Sequence, residues 1–192
     1  MNRVVKAEAG EIYDIELSED LLKANRDLAL ENKRLLSKHG VKAIDVMGSV
    51  GTGKTSLIGQ IVEKLRGRYR IAAIAGDLTT TIDAERIAQH DVEVIQINTG
   101  KECHLDANLV RKALKKINLN KVNLLFIENV GNLICPAEFP LGSDKRVVVI
   151  SPTEGPYMVV KHPFTFIEAD VVVINKMDLA DVLDVDVDKL ER

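Results

Sequence analysis

The stretch Val41 to Met47 runs directly into Gly48-Ser49-Val50-Gly51-Thr52-Gly53-Lys54-Thr55, and a helical pattern follows from Ser56. The spacing is G-x-x-x-x-G-K-[ST] in a strand–loop–helix setting, and few chains can satisfy it except as a P-loop α/β fold. The chemistry explains the residue types. Glycines let backbone N–H groups close around phosphate oxygens, and the N-terminus of the following helix adds positive potential. Lys54 is expected to reach the β- and γ-phosphates, and the Thr55 hydroxyl to ligate Mg²⁺. Gly48 to Ser56 are therefore candidate nucleotide-binding residues.

The rest of the chain supports that architecture. After Gly40, strand-like and helix-like segments alternate. Strands are predicted at Val41–Met47, Ile71–Ala75, Val92–Ile97, Leu124–Ile127, Val147–Ile150 and Val171–Ile174. Helices are predicted at Lys54–Arg66, Ala84–His90 and Leu105–Lys116. This alternation predicts a mostly parallel sheet with helices on both faces. Only 4% of residues are aromatic and Trp is absent, so the core must come from Val, Ile, Leu and Ala, as in buried parallel strands. Residues 1–17 read as a mobile leader. A helix over 18–39 follows, with Ser18 as its cap and Leu21, Leu28 and Leu35 recurring every seven residues. That stripe would pack on the chain's own domain or on a second subunit. No repeat or linker interrupts residues 1–192, so one domain is expected.

Val171-Val172-Val173-Ile174 leads into Asn175-Lys176-Met177-Asp178. An N-K-x-D at a strand end, well downstream of a P-loop, points to guanine. The Asp178 carboxylate can accept from guanine N1–H and the 2-amino group, whereas adenine offers no matching donors. Asn175 would meet the opposite edge of the base and the Lys176 stem would cover its face. GTP is thus expected rather than ATP.

Three acids lie at predicted strand ends, where ligands of such sheets bind. Asp77 and Asp83 are candidates for holding Mg²⁺, directly or through water, or for orienting the attacking water. Helix capping is the alternative for Asp83. Glu128 directly follows a hydrophobic strand and takes the position of an acid that holds a magnesium-bound water. Gly131, in Asn129-Val130-Gly131-Asn132, is suited to sensing the γ-phosphate through its backbone N–H. No arginine stands out as a catalytic finger, so slow, switch-like turnover is expected.

Cys103 and His104 are adjacent, and Cys135 follows 32 residues later by number. Thiolate and imidazole suit Zn²⁺ and Ni²⁺. One chain supplies three such groups and a two-fold dimer six, enough for a shared ion. The bland alternative is that the cysteines are small buried hydrophobes. His39, His90 and His162 look like ordinary helix-end or loop residues.

Charge and hydropathy exclude other classes. The net charge of −3 is spread without a basic face, which argues against nucleic acid. No apolar run approaches the ~20 residues that span a bilayer. The polar, acidic N-terminus does not read as a secretory signal, so a cytoplasmic location is expected.

Several segments together resemble the HypB family of hydrogenase nickel-incorporation GTPases. They are Gly76-Asp77 through Asp83-Ala84-Glu85-Arg86, Thr99-Gly100-Lys101-Glu102-Cys103-His104-Leu105-Asp106-Ala107, and Glu128-Asn129-Val130-Gly131-Asn132-Leu133-Ile134-Cys135-Pro136-Ala137. With the P-loop and the guanine motif, the resemblance covers roughly residues 18 to 185. It implies a GTP-dependent homodimer with metal bound near the subunit interface. It also implies cooperation with a small zinc-containing nickel chaperone, and delivery to the large subunit of a [NiFe]-hydrogenase. The chain departs from the pattern in places. Residues 1–17 lack the cysteine cluster or histidine-rich stretch with which many relatives store nickel. Asn108 stands where some relatives carry a further histidine. Members usually add a strand, a second base-contacting loop and a helix beyond the guanine motif. Alternatives are the same machinery serving urease or another metalloenzyme, a non-catalytic metal-binding dimer with structural nucleotide, and an ATP-dependent small-molecule kinase.

Overall fold

The structure is a computed structural model that describes residues 15–191, with side chains from residue 19 to residue 189. Most of the expected leader lies outside the described residues. In chain order the elements are α1 (Ile15–Lys38), β1 (Lys42–Met47), α2 (Lys54–Leu65), β2 (Ile71–Asp77), α3 (Ile82–Ala88), β3 (Glu93–Asn98), α4 (Ala107–Leu114), β4 (Leu124–Glu128), α5 (Cys135–Glu138), β5 (Lys145–Ile150), α6 (Met158–Lys161), α7 (Pro163–Ile167), β6 (Val171–Ile174) and α8 (Asp188–Glu191). All six predicted strands form.

They make one parallel sheet in the order β3-β2-β4-β1-β5-β6. Side chains alternate across it, as the two-residue period of a strand requires. From β2, Ala72 and Ile74 join α1 and α4 on one face, while Ile71, Ala73 and Ala75 join α2 and α3 on the other. A third cluster, with Met47, Val148 and Ile150, gathers α6 and α7 around the β5–β6 end. Among the described residues, no helix is long and apolar enough to cross a membrane.

Three expectations shift. The first helix begins at Ile15, so Ser18 lies inside it rather than at its cap. Its buried stripe is Asn25, Ala29, Asn32 and Leu36, whereas Leu21 is exposed. Two asparagines occupy the seam because they bond loop backbone: Asn25 joins Pro140 O and Ala107 N, and Asn32 joins Ala107 O and Leu141 O. The stripe therefore packs on the chain's own α4, one of the two surfaces weighed. α4 starts at Ala107 instead of Leu105, because the Asp106 side chain caps it by accepting from Leu109 N at 2.7 Å. α3 starts at Ile82 rather than Ala84, which places Asp83 in its first turn and not at its cap.

Candidate nucleotide and metal site

Parallel pairing puts the C-terminal ends of β1, β2 and β4 side by side, so the loops after them share one crevice. A pocket of about 270 Å³ lies there. Gly51, Gly53, Lys54, Thr55, Asp77, Asp83, Arg86, Glu128 and Gly131 are among the residues that line it. The P-loop is closed on itself by Thr52 Oγ1 and Lys54 Nζ, which both donate to Ser49 O, at 3.0 and 3.1 Å. It is tied to the loop after β4 by Val50 N, which donates to Gly131 O at 3.1 Å. Burial pushes the Lys54 ammonium below its usual range, opposed by the nearby Glu128 and Asp83 carboxyls.

Thr55 is the meeting point of two acids brought from distant sequence. Its Oγ1 lies 2.9 Å from Asp83 Oδ1 and 2.7 Å from Glu128 Oε1. One hydroxyl proton cannot serve two carboxylates, so the cluster needs either a proton or a cation. Burial pushes the Glu128 carboxyl up to about 7, and its Oε2 is buried with no hydrogen-bond partner. A hard cation beside Thr55 Oγ1 would satisfy both oxygens, so the donor set fits Mg²⁺. Asp77 behaves differently. Its Oδ1 accepts from Thr79 N at 2.9 Å and Thr80 N at 2.6 Å. Burial raises its pKa, but these backbone bonds outweigh that and hold it below the usual range. Asp77 thus shapes the loop between β2 and α3.

The segment Asn175-Lys176-Met177-Asp178 sits beside the P-loop. Asn175 Nδ2 donates to Thr52 O at 2.8 Å and Lys176 Nζ to Gly51 O at 2.6 Å. Both are struts between the two segments. Asp178 follows in a short 3₁₀ turn, Met177–Leu179, and is exposed.

Cys103, His104 and Cys135 form one cluster, with a donor atom from each within 4.8 Å of the others. Cys135 opens α5, and its Sγ accepts from Asn132 Nδ2 at 3.3 Å. The neighbouring Cys103 thiol, aided by burial, raises the Cys135 thiol. Burial lowers His104, against the pull of Glu102 and Asp106, which favours the neutral imidazole that metals take. The ring rests on Phe139 with centroids 4.0 Å apart. Asn108 is exposed.

Four residues escaped the sequence reading. Arg86 lines the pocket, donates to Ser56 Oγ at 2.9 Å and lies 3.8 Å from Asp83 Oδ1. Its spacing of three from Asp83 on one helix was the available signal. Asp45, Asn129 and Arg146 form a polar network inside the core. Asp45 Oδ2 is 3.5 Å from Arg146 Nε, and Asn129 Nδ2 is 3.4 Å from Asp45 Oδ1. The signal was an acid between Ile44 and Val46 in the central strand.

Comparison with known proteins agrees with this geometry. Residues 42–192 match the family model for the CobW/HypB/UreG nucleotide-binding domain. The chain is 54% identical over 178 residues to a probable hydrogenase maturation factor HypB of Methanocaldococcus jannaschii, covering 93% of this chain and 80% of that one. Several bacterial relatives are longer, and the chain spans 57% of the one from Rhizobium leguminosarum and 60% of the one from Escherichia coli. Among solved structures, HypB of Archaeoglobus fulgidus matches with a TM-score of 0.81 at 44% identity, covering 88% of this chain and 82% of that one. HypB of Helicobacter pylori, solved in complex with nickel, matches with a TM-score of 0.82 at 34% identity over 87% and 79%. On its motifs, its sheet and these matches, the chain belongs to the HypB family within the CobW/HypB/UreG nucleotide-binding domains.

Proposed function

We propose that this protein hydrolyses GTP to GDP and phosphate and uses the nucleotide state to hold or release nickel during maturation of a [NiFe]-hydrogenase. One observation carries this reading. The loop after β4 contains Gly131, whose carbonyl is bonded to the P-loop, and ends at Cys135 in the Cys103–His104–Cys135 cluster. A change at the γ-phosphate therefore reaches the thiols through four residues of backbone. The relatives named as hydrogenase maturation factors, and the nickel complex of the Helicobacter pylori protein, support the choice of cargo and client.

Each residue has a role in this reading. Lys54 and the backbone N–H groups of Gly48 to Ser56 bind the phosphates and steady the charge that develops on them. Mg²⁺, when bound, would neutralise charge on the phosphoryl oxygens from a place beside Thr55, Asp83 and Glu128. Asp83 and Glu128 are preferred to Asp77 because they converge on Thr55, while Asp77 is engaged by its own loop. Glu128 orients the attacking water, and Gly131 senses the γ-phosphate. Asp178 selects guanine, with Asn175 and Lys176 fixing its loop to the P-loop.

Nickel is held by Cys103, His104 and Cys135, and Zn²⁺ competes for the same donors. Three donors fall one short of a four-coordinate site, so a homodimer completes it, which makes dimerisation and metal capture linked events. A small zinc-containing nickel chaperone supplies the ion and the hydrogenase large subunit receives it. All of this takes place in the cytoplasm, where free thiols persist.

Two measurements test the reading. Hydrolysis of GTP should be measurable and abolished in Lys54→Ala. A Ni²⁺ titration followed by thiolate-to-metal absorbance should differ between a non-hydrolysable GTP analogue and GDP, and the signal should vanish in Cys103→Ala. Identical curves in the two nucleotide states would overturn it.

A further inference from the structure

The core holds a polar cluster. Asp45 is fully buried in the central strand β1, Asn129 is 1% exposed and Arg146 is 9% exposed. Polar groups this deep are costly to bury, and the partners these find lie at particular places. Asn129 Oδ1 accepts two backbone N–H groups at once, from Leu105 and from Val130, both at 3.1 Å. Leu105 directly follows Cys103-His104, and Val130 directly precedes Gly131. A single side-chain oxygen therefore holds the loop of two metal donors against the loop beside the γ-phosphate.

The other end of the network reaches the third donor. Arg146 bridges from Asp45 to Ala137 O, at 3.2 Å, in the short helix that Cys135 opens. Asn129 donates to Asp45 Oδ1 at 3.4 Å, and the Arg146 guanidinium pairs by charge with Oδ2 at 3.5 Å, an oxygen that has no hydrogen-bond partner. Leu105 itself is fully buried, with its side chain against Gly76 at the end of β2. A shift of Val130 on loss of the γ-phosphate would pull Asn129 Oδ1 away from either the half-buried Val130 N–H or the buried Leu105 N–H. The low-cost response is for Asn129 to carry Leu105 with it.

We infer that Asn129, braced by the Asp45–Arg146 pair, is the positioning residue that couples the nucleotide state to the geometry of the Cys103–His104–Cys135 donors. The inference rests on the nucleotide-gated nickel reading above and supplies its route. Asn129 is not among the residues that line the pocket, and it acts through Leu105 and Val130.

The test is a double-ligand cycle on the full chain. Ni²⁺ affinity is measured with a non-hydrolysable GTP analogue and with GDP, for wild type, Asn129→Ala and Arg146→Met. The two variants cut the network from opposite ends, so either suffices where the other fails to fold. A ratio of affinities of roughly 5- to 150-fold is usual for a coupled pair of sites. The variants should shrink the wild-type ratio by roughly 2- to 30-fold while still binding Ni²⁺. A merely structural role would change affinity equally in both nucleotide states and leave the ratio intact, which would overturn the inference alone. A wild-type ratio of one would overturn the gated-carrier reading beneath it.

Discussion

Gly53 offers a sharp test of how the phosphate loop and the base-reading motif are joined. Its φ is +97°, and a Cβ there would fall well inside contact distance of Asn175 Nδ2. Gly51, two residues earlier, has φ +82° but nothing within 4 Å of the same atom. Alanine at either position incurs the left-handed backbone penalty of about 1–2 kcal/mol. Both also gain the same small unfolded-state benefit, so that contribution cancels between them. Only Gly53→Ala must also push Asn175 away and break its 2.8 Å bond to Thr52 O. That bond is worth about 0.5–1.5 kcal/mol. Before that shared benefit, the expected losses are therefore about 1.5–3.5 kcal/mol for Gly53→Ala and about 1–2 kcal/mol for Gly51→Ala, a difference near 1 kcal/mol. Urea unfolding without nucleotide reads it as a shift of midpoint at constant slope. Competition between GDP and ADP should then show a weaker guanine preference in Gly53→Ala than in Gly51→Ala. Equal destabilisation of the two variants, with equal base preference, would refute the strut.

Other expectations are as direct. Arg86→Ala frees Asp83 and Ser56, and should lower kcat by roughly 10-fold and raise the Mg²⁺ needed for half-maximal rate, with partial rescue by Arg86→Lys; unchanged kinetics would make Arg86 a surface residue. Burial raises Asp45 from 3.8 to about 6 in the folded protein, against the pull of Arg146. Its stabilising contribution is therefore complete below about pH 4 and lost as pH rises through about 6. Asp45→Asn lacks that loss, so its stability should climb more steeply than wild type between those values; parallel curves would contradict it. Asn32→Ala releases Ala107 O and Leu141 O inside the α1 seam and should cost about 2 kcal/mol, a fall in Tm of about 4–8 °C. An unaltered Tm would mean α1 is held by its apolar contacts alone.

Local pattern carried the fold far. β-branched runs bounded by turn residues gave all six strands, and the P-loop spacing fixed how β1 meets α2. Element ends moved where one side chain decided them, as Asp106 does for α4. The site was legible in its parts rather than its assembly. Lys54 and Thr55 are marked by the P-loop spacing, whereas Cys103, His104 and Cys135 stand out mainly through the family segments in which they lie. The choice between Asp77 and Asp83 did not, because it depends on which carboxylate the sheet carries to Thr55, a contact with no local signature. Asn129 appeared within a quoted motif without a role, since its partners at Leu105 and Asp45 are reached only by folding.

The strut from Asn175 to Thr52 also orders events during synthesis. The two residues are 123 apart in sequence, so the P-loop leaves the ribosome long before the residue that braces it. At about 5–20 residues per second, the delay is roughly 6–25 s. Cys103 and Cys135 both emerge within that interval, before Asn175 exists. A nascent chain therefore exposes its thiols before the brace on its phosphate loop can form, and the two come under one constraint only when the last strand, Val171–Ile174, and the residue after it are in place.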